Sequence, residues 1–445
     1  MKRSHRQATI RPTFAAAAEQ AAAIAPTVLH AVLSQRHRLS TAISRALQER
    51  TIRGARAQDR AAITRSLRAL LRWWGWIEPL RLRRPEEQLL LAALLDLPEL
   101  SALGRVWAER IGRPVDRLVP VGDAPSWTAR AEGLKRWLDG RPANADPWRL
   151  FPAWLRDQLP VPPGDETPKA RRLDFLASLQ RPPPTWVAVR GHDEKAAWAQ
   201  LRNAGLKPWV HRRIASAAKL PPETDLTRVE AFGSGRLVVQ DLASQAVGIV
   251  CDPDPGERWW VVRGEADGGL PALHLAALMA GKGVVVATCP TERQRHETAL
   301  RLRRGPFHNI TTKVWDGRHP IGKPAGFDGV LLDAPCSGVG GWRRHPDARW
   351  TLSAEEIPQL AARQVQALEA ASSRVRPGGI LVYTVLTVTR PETLAAVDAF
   401  LRGHPEFQLQ PFPHPLEDTT TGGTLQIWPQ LHDCDGRFIA RLIRT

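Results

Sequence analysis

Apolar residues recur at three- and four-residue spacing through Leu39–Glu49, Gln58–Trp76 and Pro85–Leu97. That spacing lines one face of a helix, so residues 15–150 are expected to form a helical domain behind a basic tail at 1–14. Trp73, Trp74 and Trp76 close the second run and are expected in the helix-packing core rather than as a base-stacking platform. Proline then becomes dense, from Pro147 through Pro168 to Pro182-Pro183-Pro184, and 151–184 reads as short helices and a linker. A small α/β subdomain follows over 185–240, with a strand at Thr185–Arg190, a helix at Asp193–Ala204 and a strand at Arg236–Gln240.

From 241 to 445 the period switches back and forth between two and 3.6. Asp241–Cys251 reads as a helix with Asp241 as its cap. Strands are expected at Trp259–Val262, Gly283–Thr288, Val330–Asp333 and Ile380–Val385, the last preceded by a turn at Arg376–Gly379. Helices are expected from Leu273, over Glu292–Arg304, over Glu355–Val375 and near Glu392–Leu401. Such alternation predicts a doubly wound, mostly parallel α/β sheet whose ligand sits outside the carboxyl ends of the strands.

Charge adds a partner class. The formal net charge is +17, and residues 1–84 hold 17 Arg and Lys against 4 Asp and Glu. This concentration suits a polyanion such as RNA, although an arginine-rich proteome would give the same excess. The four cysteines, Cys251, Cys289, Cys336 and Cys434, form no close pair, so free thiols and no zinc site are expected. No run of about 18 apolar residues stands out, which argues against a membrane span and for a cytoplasmic protein.

The candidate chemistry lies at the strand ends. Gly268-Gly269 in the first βα turn would let a cofactor approach the backbone. Cys289 ends the second strand, where a carboxylate usually holds ribose hydroxyls. Asp316 could accept from an adenine amino group or simply close a turn. Asp333-Ala334-Pro335-Cys336-Ser337-Gly338 fixes a carboxylate, a proline and a thiol on one loop after a buried strand.

That run, with Trp342-Arg343-Arg344-His345-Pro346-Asp347 after it, resembles the signature of the Sun/Fmu family of RNA cytosine-5 methyltransferases. Val239–Gln245, Asp252–Arg258 and Asp435–Ala440 resemble further family segments, and Arg60–Trp76 is similar to part of the NusB-like RNA-binding domain of some members. The resemblance implies a Rossmann-like class I methyltransferase domain, S-adenosylmethionine as cofactor, and ribosomal RNA as partner of a monomer. It implies that Asp333 binds the cytosine and lies in the cofactor crevice, that Cys336 releases the product, and that Gly268, Gly269, Cys289 and Asp316 occupy cofactor positions. Arg343, Arg344 and His345 are expected to touch RNA.

The sequence departs from the family at three working points. The nucleophilic cysteine belongs in Tyr383-Thr384-Val385-Leu386-Thr387, where Leu386 stands instead. Leucine has no nucleophilic atom. Val261-Val262 and Leu270-Pro271 replace the acidic strand end and Lys-Thr closing of the cofactor turn, and the ribose carboxylate falls at Cys289. The expectation is a degenerate member that binds structured RNA and methylates poorly or not at all. One alternative is an active enzyme with Cys336 as replacement nucleophile; another is a non-enzymatic ribosome-assembly or RNA-scaffold protein.

Overall fold

The structure is a computed structural model describing residues 12–49, 57–124, 126–140, 144–191, 193–263, 269–317, 319 and 321–445. The chain divides into two compact units. The first comprises 1–157, 172–182 and 342–352; the second comprises 158–171, 183–341 and 353–445.

The first unit is helical: α1 (Pro12–Leu33), α2 (Leu39–Glu49), α3 (Ala57–Ile77), α4 (Pro85–Asp96), α5 (Ala102–Arg110) and α6 (Trp127–Trp137). Helix α1 packs against α2, α3 and α5, and α3 against α4. By length and composition Phe14–Leu33 could cross a membrane, a point the sequence reading passed over, but Ala18, Ala21, Ile24, Ala25, Val28 and Val32 are buried within this unit. Trp73 and Trp76 are core residues, with Nε1 of Trp73 donating to Asp96 and Nε1 of Trp76 to the Asp146 carbonyl, both at 2.9 Å. The same Asp96 oxygen accepts from Arg72 at 2.5 Å. Both indole N–H groups and the Asp96 carboxylate therefore have partners, as burial requires.

Segment 342–352, which follows the Asp333–Gly338 run in sequence, is built into this helical unit. Arg349 is fully buried; its guanidinium donates to the carbonyl of Leu150 at 3.2 Å, to Gln180 Oε1 at 3.1 Å and to the Trp342 carbonyl at 3.3 Å, and lies over the Phe151 ring. Burial holds its pKa well below the ordinary arginine value. The Asp347 carboxylate accepts from the backbone N–H of Leu39 at 3.0 Å, and Trp350 Nε1 donates to the Leu71 carbonyl at 2.8 Å.

In the second unit, a four-stranded antiparallel sheet is formed by β1 (Thr185–Val189), β2 (Trp209–Val210), β3 (Ala217–Leu220) and β4 (Leu237–Val239), in the order β2-β3-β1-β4. Helix α7 (Glu194–Asn203) contributes Trp198 and Leu201 to its core, and Asp193 caps that helix by accepting from the Ala196 N–H at 2.8 Å. The sequence reading missed β2 and β3. Two residues are too few to show a period, and Ala217–Leu220 carries no alternation.

The larger sheet follows α8 (Leu242–Cys251). It contains β5 (Arg258–Arg263), β6 (Val284–Cys289), β7 (Ile310–Val314), β8 (Phe327–Asp333), β9 (Val375–Val385), β10 (Phe407–Leu409), then β13 (Thr424–Ile427) and β14 (Arg437–Arg444), with β11 (Phe412–Pro413) and β12 (Thr420–Thr421) as a separate ribbon. Helices α9 (Leu270–Leu278), α10 (Glu292–Leu302), α11 (Glu356–Ser372) and α12 (Leu394–Gly403) connect the strands. The order is β7-β6-β5-β8-β9-β14-β10, with β5 through β9 parallel and β14 antiparallel to β9 and β10. This is the expected Rossmann-like doubly wound sheet. Strand order reverses between β5 and β8, and the crevice outside their carboxyl ends is where such sheets bind ligands. Arg376–Gly379, read as a turn, belongs to β9: Gly378 has φ 72°, and the register against β8 shifts between Phe327 and Gly329, so the turn chemistry appears as a bulge rather than a break.

Candidate active site

Strand β8 delivers Asp333 to the switch point, directly across from Arg263 of β5 and Thr384 of β9. The carboxylate is already engaged. Arg437, at the start of β14, donates from Nη1 to Asp333 Oδ1 at 3.0 Å and to Thr384 Oγ1 at 3.2 Å. Both partners are nearly buried, with side-chain exposures of 4% for Arg437 and 12% for Asp333. Thr384 in turn donates to the Phe438 carbonyl at 2.8 Å, so the pair is anchored to the closing hairpin.

The loop after Asp333 is held by a second buried carboxylate, Glu392, which the sequence reading left without a role. Its Oε1 accepts from the Ser337 N–H at 2.8 Å and from Gln364 Nε2 at 3.1 Å; its Oε2 accepts from Thr389 Oγ1 at 2.6 Å. Gln364 also donates to the Pro335 carbonyl at 2.9 Å, and Ser337 Oγ lies 2.7 Å from Thr387 Oγ1. Tyr383 Oη is 2.7 Å from the Glu392 carbonyl oxygen. A fully buried carboxylate persists only with such donors. The network fixes Pro335–Ser337 and Thr387–Thr389 against each other, placing Cys336 on a rigid loop.

Cys336 keeps part of its surface exposed, but burial of its sulfur and then the nearby Glu392 carboxylate push the thiol up to about 12. It is a thiol, not a thiolate, at neutral pH. Leu386 follows the last residue of β9, with its carbonyl accepting from the Gly340 N–H at 3.2 Å. Its side chain packs on Gly341, where an added Cβ would lie 2.8 Å from Leu386 Cδ2. Gly340 is equally constrained: it exchanges backbone hydrogen bonds with Leu386 and Gly436, and a Cβ there would sit 1.7 Å from the Gly436 oxygen.

The cofactor side is thinner. Gly268 lies outside the described residues. Gly269 has φ 91° and precedes α9, and a Cβ on it would lie 3.0 Å from Thr298 Cγ2, so the left-handed turn needs glycine. Val262 is buried in the sheet. Cys289 is buried as well, its thiol donating to Thr298 Oγ1 at 3.5 Å, so it offers no oxygen to a ribose. Asp316 is exposed after β7 and accepts from the His319 N–H at 2.9 Å while Oδ2 lies 2.5 Å from His319 Nδ1, the geometry of a turn aspartate. These side chains do not make the usual ribose clamp.

One further expectation changes. Arg343, read as an RNA contact, is only 2% exposed; its Nε donates to the Arg181 carbonyl at 3.3 Å and its own carbonyl accepts from Arg72. Burial and the bond to the Arg181 carbonyl make it a structural residue of the helical unit. Arg344 is half-buried and His345 exposed beside it. Among the described residues one group, His414, Glu417 and His432, brings its ligand atoms within 4.8 Å of one another. His414 Nδ1 accepts from the N–H groups of Leu416 and Glu417, both at 3.0 Å, which puts the ring proton on Nε2 and leaves that nitrogen no lone pair for a metal.

The other recognisable segments are structural. Asp241 accepts from the Ala243 N–H at 2.9 Å, capping α8, and from the Asp435 N–H at 3.1 Å. Gln245 reaches back to the carbonyls of Val187 and Gln240. The Val239–Gln245 and Asp435–Ala440 segments therefore hold one another in place.

Residues 249–443 match the family model described as 16S rRNA methyltransferase RsmB/F. Ribosomal RNA small subunit methyltransferase B of Thermus thermophilus is 32% identical over 354 residues, spanning 73% of this chain and 82% of that protein. The protein of the same name from Serratia proteamaculans is 31% identical, over 68% of each chain. Among solved structures, the crystal structure of PH0851 matches with a TM-score of 0.71 and 25% identity, covering 98% of this chain and 99% of that one. NSun6 from Pyrococcus horikoshii, solved with SFG, shares the fold at a TM-score of 0.53 and 17% identity, over 62% of this chain and 94% of its own. With its sheet order, its Asp333–Gly338 loop at the switch point and these relatives, the chain belongs to the RsmB/F family of ribosomal RNA methyltransferases.

Proposed function

We propose that this protein binds ribosomal RNA as a family member whose methyl transfer is lost or nearly lost. The observation that carries the reading is Leu386 at the end of β9, packed on Gly341 where the family places its attacking cysteine. The family's chemistry begins when a thiolate adds to carbon 6 of cytosine, making carbon 5 nucleophilic. No side-chain atom of leucine can form that bond. S-adenosylmethionine, the family's methyl donor, supplies an electrophilic methyl group when bound. Gly269 suits its approach, but the Val262 and Cys289 positions lack the oxygens that would hold it, so its affinity is weakened.

Asp333 supports the same reading. A carboxylate meant for the cytosine edge is here committed to Arg437. The reading in which Cys336 replaces the nucleophile requires a thiolate, and this thiol is held protonated on a clamped loop. The basic helical unit, NusB-like in sequence, supplies phosphate contacts to structured RNA in the cytoplasm, and the protein acts as a monomer.

Ribosomal RNA containing 5-fluorocytidine tests the proposal. Fluorine at carbon 5 cannot leave as a proton, so any enzyme that attacks carbon 6 and methylates remains covalently attached. No denaturation-resistant adduct is expected. An adduct that forms with S-adenosylmethionine and disappears in Cys336→Ala would establish the active reading instead.

A further inference from the structure

Trp209 is half-exposed on the two-residue edge strand β2. The ladder registers put Trp186 and Trp209 opposite Lys219 from its two sides, so the three side chains form a row across β1, β3 and β2. Trp186 is buried, and its ring meets that of Trp209 edge-on at 6.1 Å. His211 stands 5.9 Å from the Trp209 ring, and Lys219 Nζ 5.0 Å from it. The indole is thus supported from the sheet by two rings and a cation, while half its surface remains open. Holding a large exposed aromatic rigidly costs solvation, and nothing in the fold of β2 needs a ring of that size at a sheet edge.

The charge around it selects the partner. Lys207, Arg212 and Arg213 are exposed on either side of Trp209 in sequence. Asp418 pairs with Arg213 and Asp433 with Lys219, whereas among the described residues Lys207 and Arg212 have no carboxylate partner. An apolar protein interface would want hydrophobic neighbours here; cations beside a lone ring instead suit a base with its phosphates. We infer that Trp209 is a stacking platform for one base of a single-stranded RNA segment, with Lys207 and Arg212 contacting the flanking phosphates. This rests on the RNA-binding reading above but concerns a surface outside the Asp333–Leu386 site.

The test uses the full chain and a fluorescein-labelled 12-nucleotide oligoadenylate, followed by anisotropy. Losing one stacked base weakens binding by about tenfold. Trp209→Ala should show that loss, Trp209→Phe should stay within about threefold of wild type because a ring is kept, and Arg212→Ala should flatten the dependence of Kd on salt. In a second readout, a 4-thiouridine 12-mer should photo-crosslink wild-type protein within the peptide containing Trp209. Wild-type binding left unchanged by Trp209→Ala, or crosslinks confined to other peptides, overturns the inference alone. If wild type binds neither the oligomer nor 16S ribosomal RNA, the RNA-binding reading falls and the inference with it.

Discussion

Replacing Arg437 with methionine removes the cation from Asp333 while keeping most of the side-chain volume. The ion pair is 3.0 Å long and both side chains are largely withdrawn from water. Deleting one partner of a buried pair costs about 3–5 kcal/mol, because the survivor keeps its desolvation penalty. Asp333 retains a little exposure at the strand end, so the lower figure, about 3 kcal/mol, is expected for Arg437→Met. Thr384 loses a donor in the same variant, a smaller effect. Adding Asp333→Asn should recover part of the loss, since no uncompensated charge remains. Urea unfolding of wild type, both single variants and the double variant gives the coupling directly. The double variant should be less destabilised than the sum of the singles by about 2 kcal/mol. Additivity within about 0.5 kcal/mol would refute the claim that Arg437 holds the Asp333 carboxylate.

Further outcomes follow from neighbouring geometry. With its thiol near 12, Cys336 is ionised to roughly one part in ten thousand at pH 8, so iodoacetamide should label it orders of magnitude more slowly than free cysteine; rapid labelling mapped to Cys336 would put its thiol in a different environment. Gly340→Ala drives a Cβ into the Gly436 carbonyl and should cost more than about 2 kcal/mol, whereas Gly338→Ala meets no atom within 4 Å and pays only for its φ of 70°, about 1 kcal/mol. Equal costs in thermal unfolding would contradict the packing assigned to Gly340. Burial holds His211, His274, His414 and His432 below the ordinary histidine value. The unfolded chain therefore takes up protons that the folded chain refuses. Stability is fully present above about pH 6.5 and should decline as pH falls below it; a Tm unchanged between pH 7.5 and 5.5 would show that these rings titrate normally.

Four of the five parallel strands, β5, β6, β8 and β9, were legible because each is an apolar run ending at a turn, whereas β7, Ile-Thr-Thr-Lys-Val, is mostly polar and escaped; the Asp333–Gly338 loop was legible because proline, thiol and carboxylate seldom fall so close together. What escaped depends on distant partners. Asp333 and Arg437 are 104 positions apart, and nothing local marks either as half of an ion pair. Glu392 lies in a segment recognisable by its Thr-Arg-Pro-Glu-Thr text, yet its role appears only once β9 brings it beside Ser337. Arg343 misled for the same reason: an arginine next to a catalytic motif reads as a ligand contact, whereas its neighbours in space are the carbonyl of Arg181 and the side chain of Arg72. The missing cysteine needed no structure, because leucine fails as a nucleophile in any fold. The fold adds that the candidate replacement, Cys336, sits on a clamped loop with its thiol protonated.

The most direct measurement is transfer of radiolabelled methyl from S-adenosylmethionine to unmodified 16S ribosomal RNA by the full chain, with Leu386→Cys in parallel. Wild type is expected to show no incorporation above background. None is expected for Leu386→Cys alone either, because Asp333 remains paired with Arg437 and a buried cysteine, Cys289, ends β6 where the family places its ribose carboxylate. Incorporation into cytosine by the wild-type protein, abolished by Cys336→Ala, would contradict the proposed loss of methyl transfer.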